Sequence, residues 1–232
     1  SNVQLSLNSR TLDVELVNTG SKKWQVIVQG MVVGKNILEV KSVEGANQIT
    51  IDNFSESGPI ISGPHQEPYV CQTEDFELAI GGTLGLALDD DCGIETRIDY
   101  LYRPEGSDVF RLFNQSSAEY PPDVSFVTLE NGVTVPQIIR VETGTVNRAV
   151  YEIAMLHDPN DIEVSPWSRS AGWNGKLIYT HGGGCRGGWY RQGTRSGGVI
   201  RPEFFEIGYA VVSSSLNVFG QNCNDLLASE TH

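Results

Sequence analysis

The sequence predicts an α/β chain with high strand content: a small antiparallel sandwich over residues 1–60, then a mixed sheet over residues 61–232. Three observations predict it. Short runs that alternate apolar and polar residues fill the first 60 positions, with Asn, Gly or Ser between them. Runs of the same kind return between Arg97 and Leu156. Two compact apolar runs, KLIYT and YAVVSS, then follow with a long glycine-rich connection, the arrangement that a parallel strand pair requires.

In chain order, VQLSLNS, TLDVELVN, KWQVIVQGMVV, NILEVKSV and NQITIDNF each read as a strand with one buried face. Five such strands make a thin core. The region reads either as a packing module or as an accessory domain that binds a polymer. Gly58-Pro59 and Gly63-Pro64 mark the exit from it. His65 lies in the proline-bearing loop beyond. The segment then turns acidic and ends in Asp89-Asp90-Asp91-Cys92, either a solvated loop or, by its adjacent carboxylates, a calcium ligand set without EF-hand spacing.

From Arg97, RIDYLYRP alternates and puts Tyr100 and Tyr102 on one face. Asn131-Gly132 inside SFVTLENGVTVPQIIRVETG is a hairpin signal. AVYEIAML supplies another strand, and Asp158 to Gly175 reads as a loop carrying Trp167 and Trp173. Helix is expected between Arg201 and Gly208, where Pro202 suits a first helical position, and again from Asn224 or Asp225 through LLASE.

At 232 residues, the chain is long enough to bury a substantial core. Its formal net charge of −13 leaves no basic stripe to neutralise phosphates, so neither nucleic acid nor an anionic membrane is expected as a partner. The four cysteines allow three pairings. Cys71–Cys92, closing the acidic loop, and Cys185–Cys223, tying the glycine loop to the end of the next strand, are the favoured ones. Zinc is the rival reading, with His181 as the one histidine near a cysteine, but no C-x-x-C spacing supports it. Disulfides and a glycine-rich, lysine-poor composition point to a secreted, extracellular or periplasmic protein without metal or cofactor.

The most informative stretch runs from Lys176 to Asp225. KLIYT leads directly into His181-Gly182-Gly183-Gly184, and three glycines after a strand leave backbone N–H groups unobstructed. Such a run either makes a plain turn or supplies oxyanion-hole donors. Trp189, Tyr190 and Arg191 follow among glycines, where exposed rings and a guanidinium suit a substrate surface. Arg186, Arg191 and Arg195 are a local excess of positive charge, to be met by a substrate anion or by neighbouring acids.

GWNGKLIYTHGGGC, YRQG and SSSLNVFGQNCND, with weaker support from SGPHQEPYVCQTEDF and VTVPQIIRVETGTVNRAVYEIA, resemble a family of secreted bacterial α/β-hydrolase-like proteins. That family is described largely as a domain of unknown function, and esterase- and tannase-like hydrolases are similar to it in kind. The resemblance covers roughly residues 60–230. It implies that residues 61–232 are the N-terminal part of an α/β-hydrolase-like domain, truncated before the nucleophile elbow. It also implies a serine hydrolase acting on small-molecule or polymeric esters.

A serine hydrolase needs a nucleophile on a sharp turn, a histidine base, an orienting carboxylate and oxyanion donors. Gly182, Gly183 and Gly184 are the donors expected here, with His181 shaping their loop. No G-x-S-x-G occurs; Gly193-Thr194-Arg195-Ser196-Gly197 misses it by one residue, and Ser213, Ser214 and Ser215 lack a glycine elbow. The nucleophile and base are therefore expected on a C-terminal remainder of the same hydrolase, in the same or a separate polypeptide. The other reading is a non-catalytic binding or structural module that keeps only the hydrolase front.

Overall fold

The computed structural model describes residues 3–20, 23–60, 63–114, 119–161, 164, 167–181 and 190–216. The chain divides into two compact units, Ser1–Ser55 and Glu56–His232.

The first unit contains β1 (Gln4–Leu7), β2 (Arg10–Thr11), β3 (Val17–Asn18), β4 (Trp24–Gln25), β5 (Gly34–Ser42) and β6 (Gly45–Asn53). They form an antiparallel sheet in the order β2-β1-β5-β6 and a separate β3-β4 ribbon. Asn8 and Ser9, both at positive φ (49° and 68°), make the two-residue turn from β1 to β2. Leu5 and Leu7 face Val40 and Leu38 across the β1–β5 ladder, and both are buried. Asn36 is fully buried but satisfied: its amide donates to Val32 O and Gly34 O, and its oxygen accepts from Val32 N–H.

Burial departs from the expected sandwich. Residues 45–50 of β6 are exposed on both faces, and KWQVIVQGMVV is strand only at Trp24–Gln25. Gly30, at φ +83°, interrupts that run, leaving Ile27, Val32 and Val33 exposed.

The second unit contains β7 (Arg97–Tyr102), β8 (Arg111–Phe113), β9 (Phe126–Thr128), β10 (Thr134–Pro136), β11 (Ile138–Val146), β12 (Ala149–Leu156), β13 (Leu177–Thr180), α1 (Pro202–Phe205) and β14 (Ala210–Ser214). Its main sheet has the order β13-β14-β12-β11-β7-β8. Every described neighbour pair in it is antiparallel except β13–β14, which is parallel. The Asn131-Gly132 signal does produce a hairpin, between β9 and β10.

Alternation places Leu101, Ile139, Val141, Ala154, Leu156 and Val211 on one face, where Val199, Phe205, Leu129 and Val135 cover them. Tyr100 and Tyr102 stand on the other face. The domain is strand-rich rather than evenly α/β: α1 is the sole helix among the described residues and lasts four residues. Pro202 starts it, and Gly208 at φ +79° ends it, with Tyr209 N–H donating to Phe204 O at 3.0 Å. The second expected helix, from Asn224, lies outside the described residues.

Candidate functional site

In sheets with parallel strands, ligands gather at the strands' carboxyl ends, which makes the end of the β13–β14 pair the candidate site. Several segments meet there. β12 runs antiparallel to β14, which brings its N-terminal residues and the β11–β12 turn to this same end.

That turn consists of Asn147 and Arg148, both at positive φ (48° and 66°), and is anchored by side chains. Buried Arg148 donates from Nη1 to Gln66 O at 3.1 Å and to Glu67 at 3.3 Å, and its guanidinium lies 4.0 Å from the Tyr69 ring centroid. Burial pushes the Tyr69 phenol far above its ordinary range, and Arg148 opposes that shift. His65 sits between Asp91, 3.5 Å from Nδ1, and Asn147, whose Oδ1 is 3.2 Å from Nε2.

A strap over residues 190–198 crosses the end of the sheet. It begins beside the disulfide-bearing segment: Val70 N–H donates to Tyr190 O at 2.8 Å, and Gln192 N–H to Val70 O at 3.0 Å. Gln192 is fully buried and joins three segments. Its side-chain oxygen accepts from Gln72 N–H at 2.9 Å, its amide donates to Cys92 O at 3.0 Å, and its carbonyl accepts from Ser215 Oγ. Cys71 and Cys92 form a disulfide with Cα atoms 5.2 Å apart, which closes the acidic loop as expected.

Farther along, the strap packs on the parallel pair itself. Gly197 N–H donates to Ser213 Oγ at 2.7 Å, and Ser213 Oγ donates to Thr180 O at 3.0 Å. Thr180 Oγ1 donates to Gly198 O at 3.0 Å. A Cβ on Gly197 would stand 2.8 Å from Thr180 O and 2.9 Å from Ser213 Oγ, so only glycine allows this approach. Ser196 Oγ donates to Glu152 of β12. Glu152 is almost wholly buried, and its other oxygen accepts from Ala79 N–H at 2.9 Å. Burial raises its carboxyl above the usual range, while the bonds from Ser196 and Ala79 pull the other way.

These contacts fix the point at which the chain leaves β13. His181 is exposed there, its ring stacked on Tyr179 with centroids 4.3 Å apart. Gly182, Gly183, Gly184, Cys185, Trp189 and Cys223 lie outside the described residues. Tyr190, 38% exposed and at φ +60°, and exposed Arg191 open the strap on the same end of the sheet. Ser213, Ser214 and Ser215 are buried, and each hydroxyl takes part in a local hydrogen bond.

The profile of a tannase-like family of unknown function matches residues 1–232, the whole chain. The chain belongs to this tannase-like family. No curated protein and no solved structure matches it. Among the described residues of this tannase-like chain, no cluster of His, Cys, Asp or Glu is arranged to hold a metal ion, and no helix is long and apolar enough to cross a membrane.

Sequence reasoning missed Glu152 and Gln192. Glu152 shares the buried face of β12 with Val150, Ala154 and Leu156, and an acid in that register is a legible signal of a buried polar function. Gln192 gave none, since its partners lie at Gln72, Cys92 and Ser215.

Proposed function

We propose that this chain is the N-terminal portion of a secreted serine hydrolase acting on ester bonds, with the front half of an α/β-hydrolase sheet in its second unit. The observation that carries the reading is the β13–β14 parallel pair, whose carboxyl end, just before His181, is pinned by the Thr180–Ser213–Gly197 contacts. Membership of a tannase-like family supports an ester as substrate class. The Cys71–Cys92 disulfide is compatible with an extracellular location.

In this reading the N–H groups of Gly182, Gly183 and Gly184 stabilise the oxyanion that forms when a serine attacks the ester carbonyl. His181 holds the loop's first residue by stacking on Tyr179. Trp189, Tyr190 and Arg191 line the approach of a small-molecule or polymeric ester. A C-terminal remainder, on the same or a separate polypeptide, supplies the nucleophile and the base, and the Cys185–Cys223 disulfide braces the glycine loop. The reaction calls for no cofactor.

The test is fluorophosphonate labelling, which marks only an activated serine. The 232-residue chain alone should stay unlabelled and should not turn over activated esters. Joined to its remainder, the protein should label once, on a serine beyond residue 232. Stoichiometric labelling of Ser196, Ser213, Ser214 or Ser215 would overturn the assignment.

A further inference from the structure

The two edges of the first unit's sheet differ sharply. On one side β2 is two residues long, too short to template another strand. On the other, β6 runs for nine residues, Gly45–Asn53, and among the described residues pairs only with β5. Among the described residues, no backbone group outside β5 hydrogen-bonds to the backbone of β6; at its far end the Asn53 side chain donates to Met31 O at 3.5 Å. Proteins usually guard such an edge with lysine, proline or a bulge. GANQITIDN has neither lysine nor proline, its register to β5 is unbroken, and Asp52 is its one charge.

We propose that β6 is a homodimerisation edge, along which two copies of this chain pair antiparallel about a twofold axis at Ile49. The strand's own pattern selects this occupant. Full overlap of the nine residues sets Ile49 against Ile49, Gln48 against Thr50, Asn47 against Ile51, and Ala46 against Asp52.

Within one copy, Leu7 faces Leu38 and Leu38 faces Ile49, so the pairing extends one apolar row across both sheets. It also covers Ile49, which is 57% exposed in the single chain. Charges agree with the same register. Asp52 already faces Lys35 in its own sheet, and the Ala46 it would meet is flanked by Lys41 of the second copy. The two Asp52 carboxylates stay apart, whereas a two-residue slide toward the turn would set Asp52 against Glu44. The pairing does not depend on the proposed ester hydrolysis.

The experiment is sedimentation equilibrium on the full 232-residue chain and on Ile49→Lys and Ile49→Glu. Both substitutions are at an exposed position, so the far-ultraviolet spectrum of each variant should match the parent, and its Tm should match at concentrations where the parent is monomeric. The parent should dimerise. Each variant alone should dimerise at least about tenfold more weakly, because like charges then face each other at the axis. An equimolar mixture of the two should recover the dimer. Oxidation of Ile49→Cys should give a crosslinked dimer, while Asn47→Cys should crosslink only when combined with Ile51→Cys. A parent that stays monomeric at its highest soluble concentration, or a dimer indifferent to Ile49→Lys, would overturn the proposal.

Discussion

Replacing Gly197 by alanine probes how the strap at residues 190–198 is held on the parallel pair. The new Cβ would lie 2.8 Å from Thr180 O, 2.9 Å from Ser213 Oγ and 3.1 Å from Thr180 Oγ1. Neither neighbour yields easily: Thr180 and Ser213 are ladder partners, and Ser213 is fully buried. The strap must lift, which breaks the Gly197–Ser213 and Thr180–Gly198 bonds. Two such bonds contribute about 1 kcal/mol each, and the local overpacking adds about 1–3 kcal/mol.

The alanine also makes the unfolded chain less flexible, which returns about 0.4–1 kcal/mol. The net loss expected is about 2–5 kcal/mol, a large part of the ~5–15 kcal/mol that stabilises a typical domain. Urea unfolding followed by circular dichroism reads it as a lower midpoint at unchanged slope. Gly81→Ala is the comparison. Gly81 has φ +90° but nothing within 4 Å of a Cβ, so it carries only the backbone strain of about 1–2 kcal/mol. In a Ser213→Ala background, Gly197→Ala should cost less than in the parent, because one of the clashing atoms is gone. Equal costs for the two glycines with no coupling to Ser213 would refute this account of the strap.

Two further predictions concern pH. Glu152 has its carboxyl raised by burial, so the folded state binds its proton more tightly than the unfolded chain does. Its contribution is most favourable below the unfolded value of about 4.3 and declines as pH rises through the raised folded value. Glu152→Gln should therefore gain stability relative to the parent as pH rises toward neutrality; a flat or opposite trend in urea midpoints would contradict this. His157 moves the other way: burial chiefly lowers its value, its ring packs on Tyr100, and its buried Nε2 has no hydrogen-bond partner among the described residues. Stability tied to neutral His157 is present above the unfolded value of about 6.5 and is lost as pH falls below it. His157→Phe keeps an aromatic ring against Tyr100 and should flatten that acid-side loss in thermal melts, whereas an unchanged slope would assign the loss elsewhere.

Much of the second unit was legible because its strands obey a period of two. RIDYLY, AVYEIAML, LIYT and AVVSS all became strands, and the Asn131-Gly132 hairpin formed where glycine can take positive φ. The tight turn at Asn147-Arg148 was not legible. Neither residue is glycine, and its conformation is secured by Arg148 bonding Gln66 and Glu67, about 80 positions away. The first unit was over-read for a related reason: alternation in KWQVIVQGMVV shows which residues could share a face, not whether anything covers it. At the site, the cysteine pair closing the acidic loop followed from spacing. The Ser196–Glu152 and Gln192 contacts did not, since each joins segments whose proximity only the assembled sheet determines.

Gly183→Val, in a protein carrying both this chain and its C-terminal remainder, tests whether the glycines after His181 stabilise an oxyanion. Steady-state hydrolysis of an activated ester and thermal unfolding are measured on the same preparation. Losing one oxyanion donor costs about 10²–10³ in kcat. A fall of at least that order is expected, with Tm nearly unchanged. Activity per folded molecule at the parent level would contradict it and leave the HGGG run a structural turn.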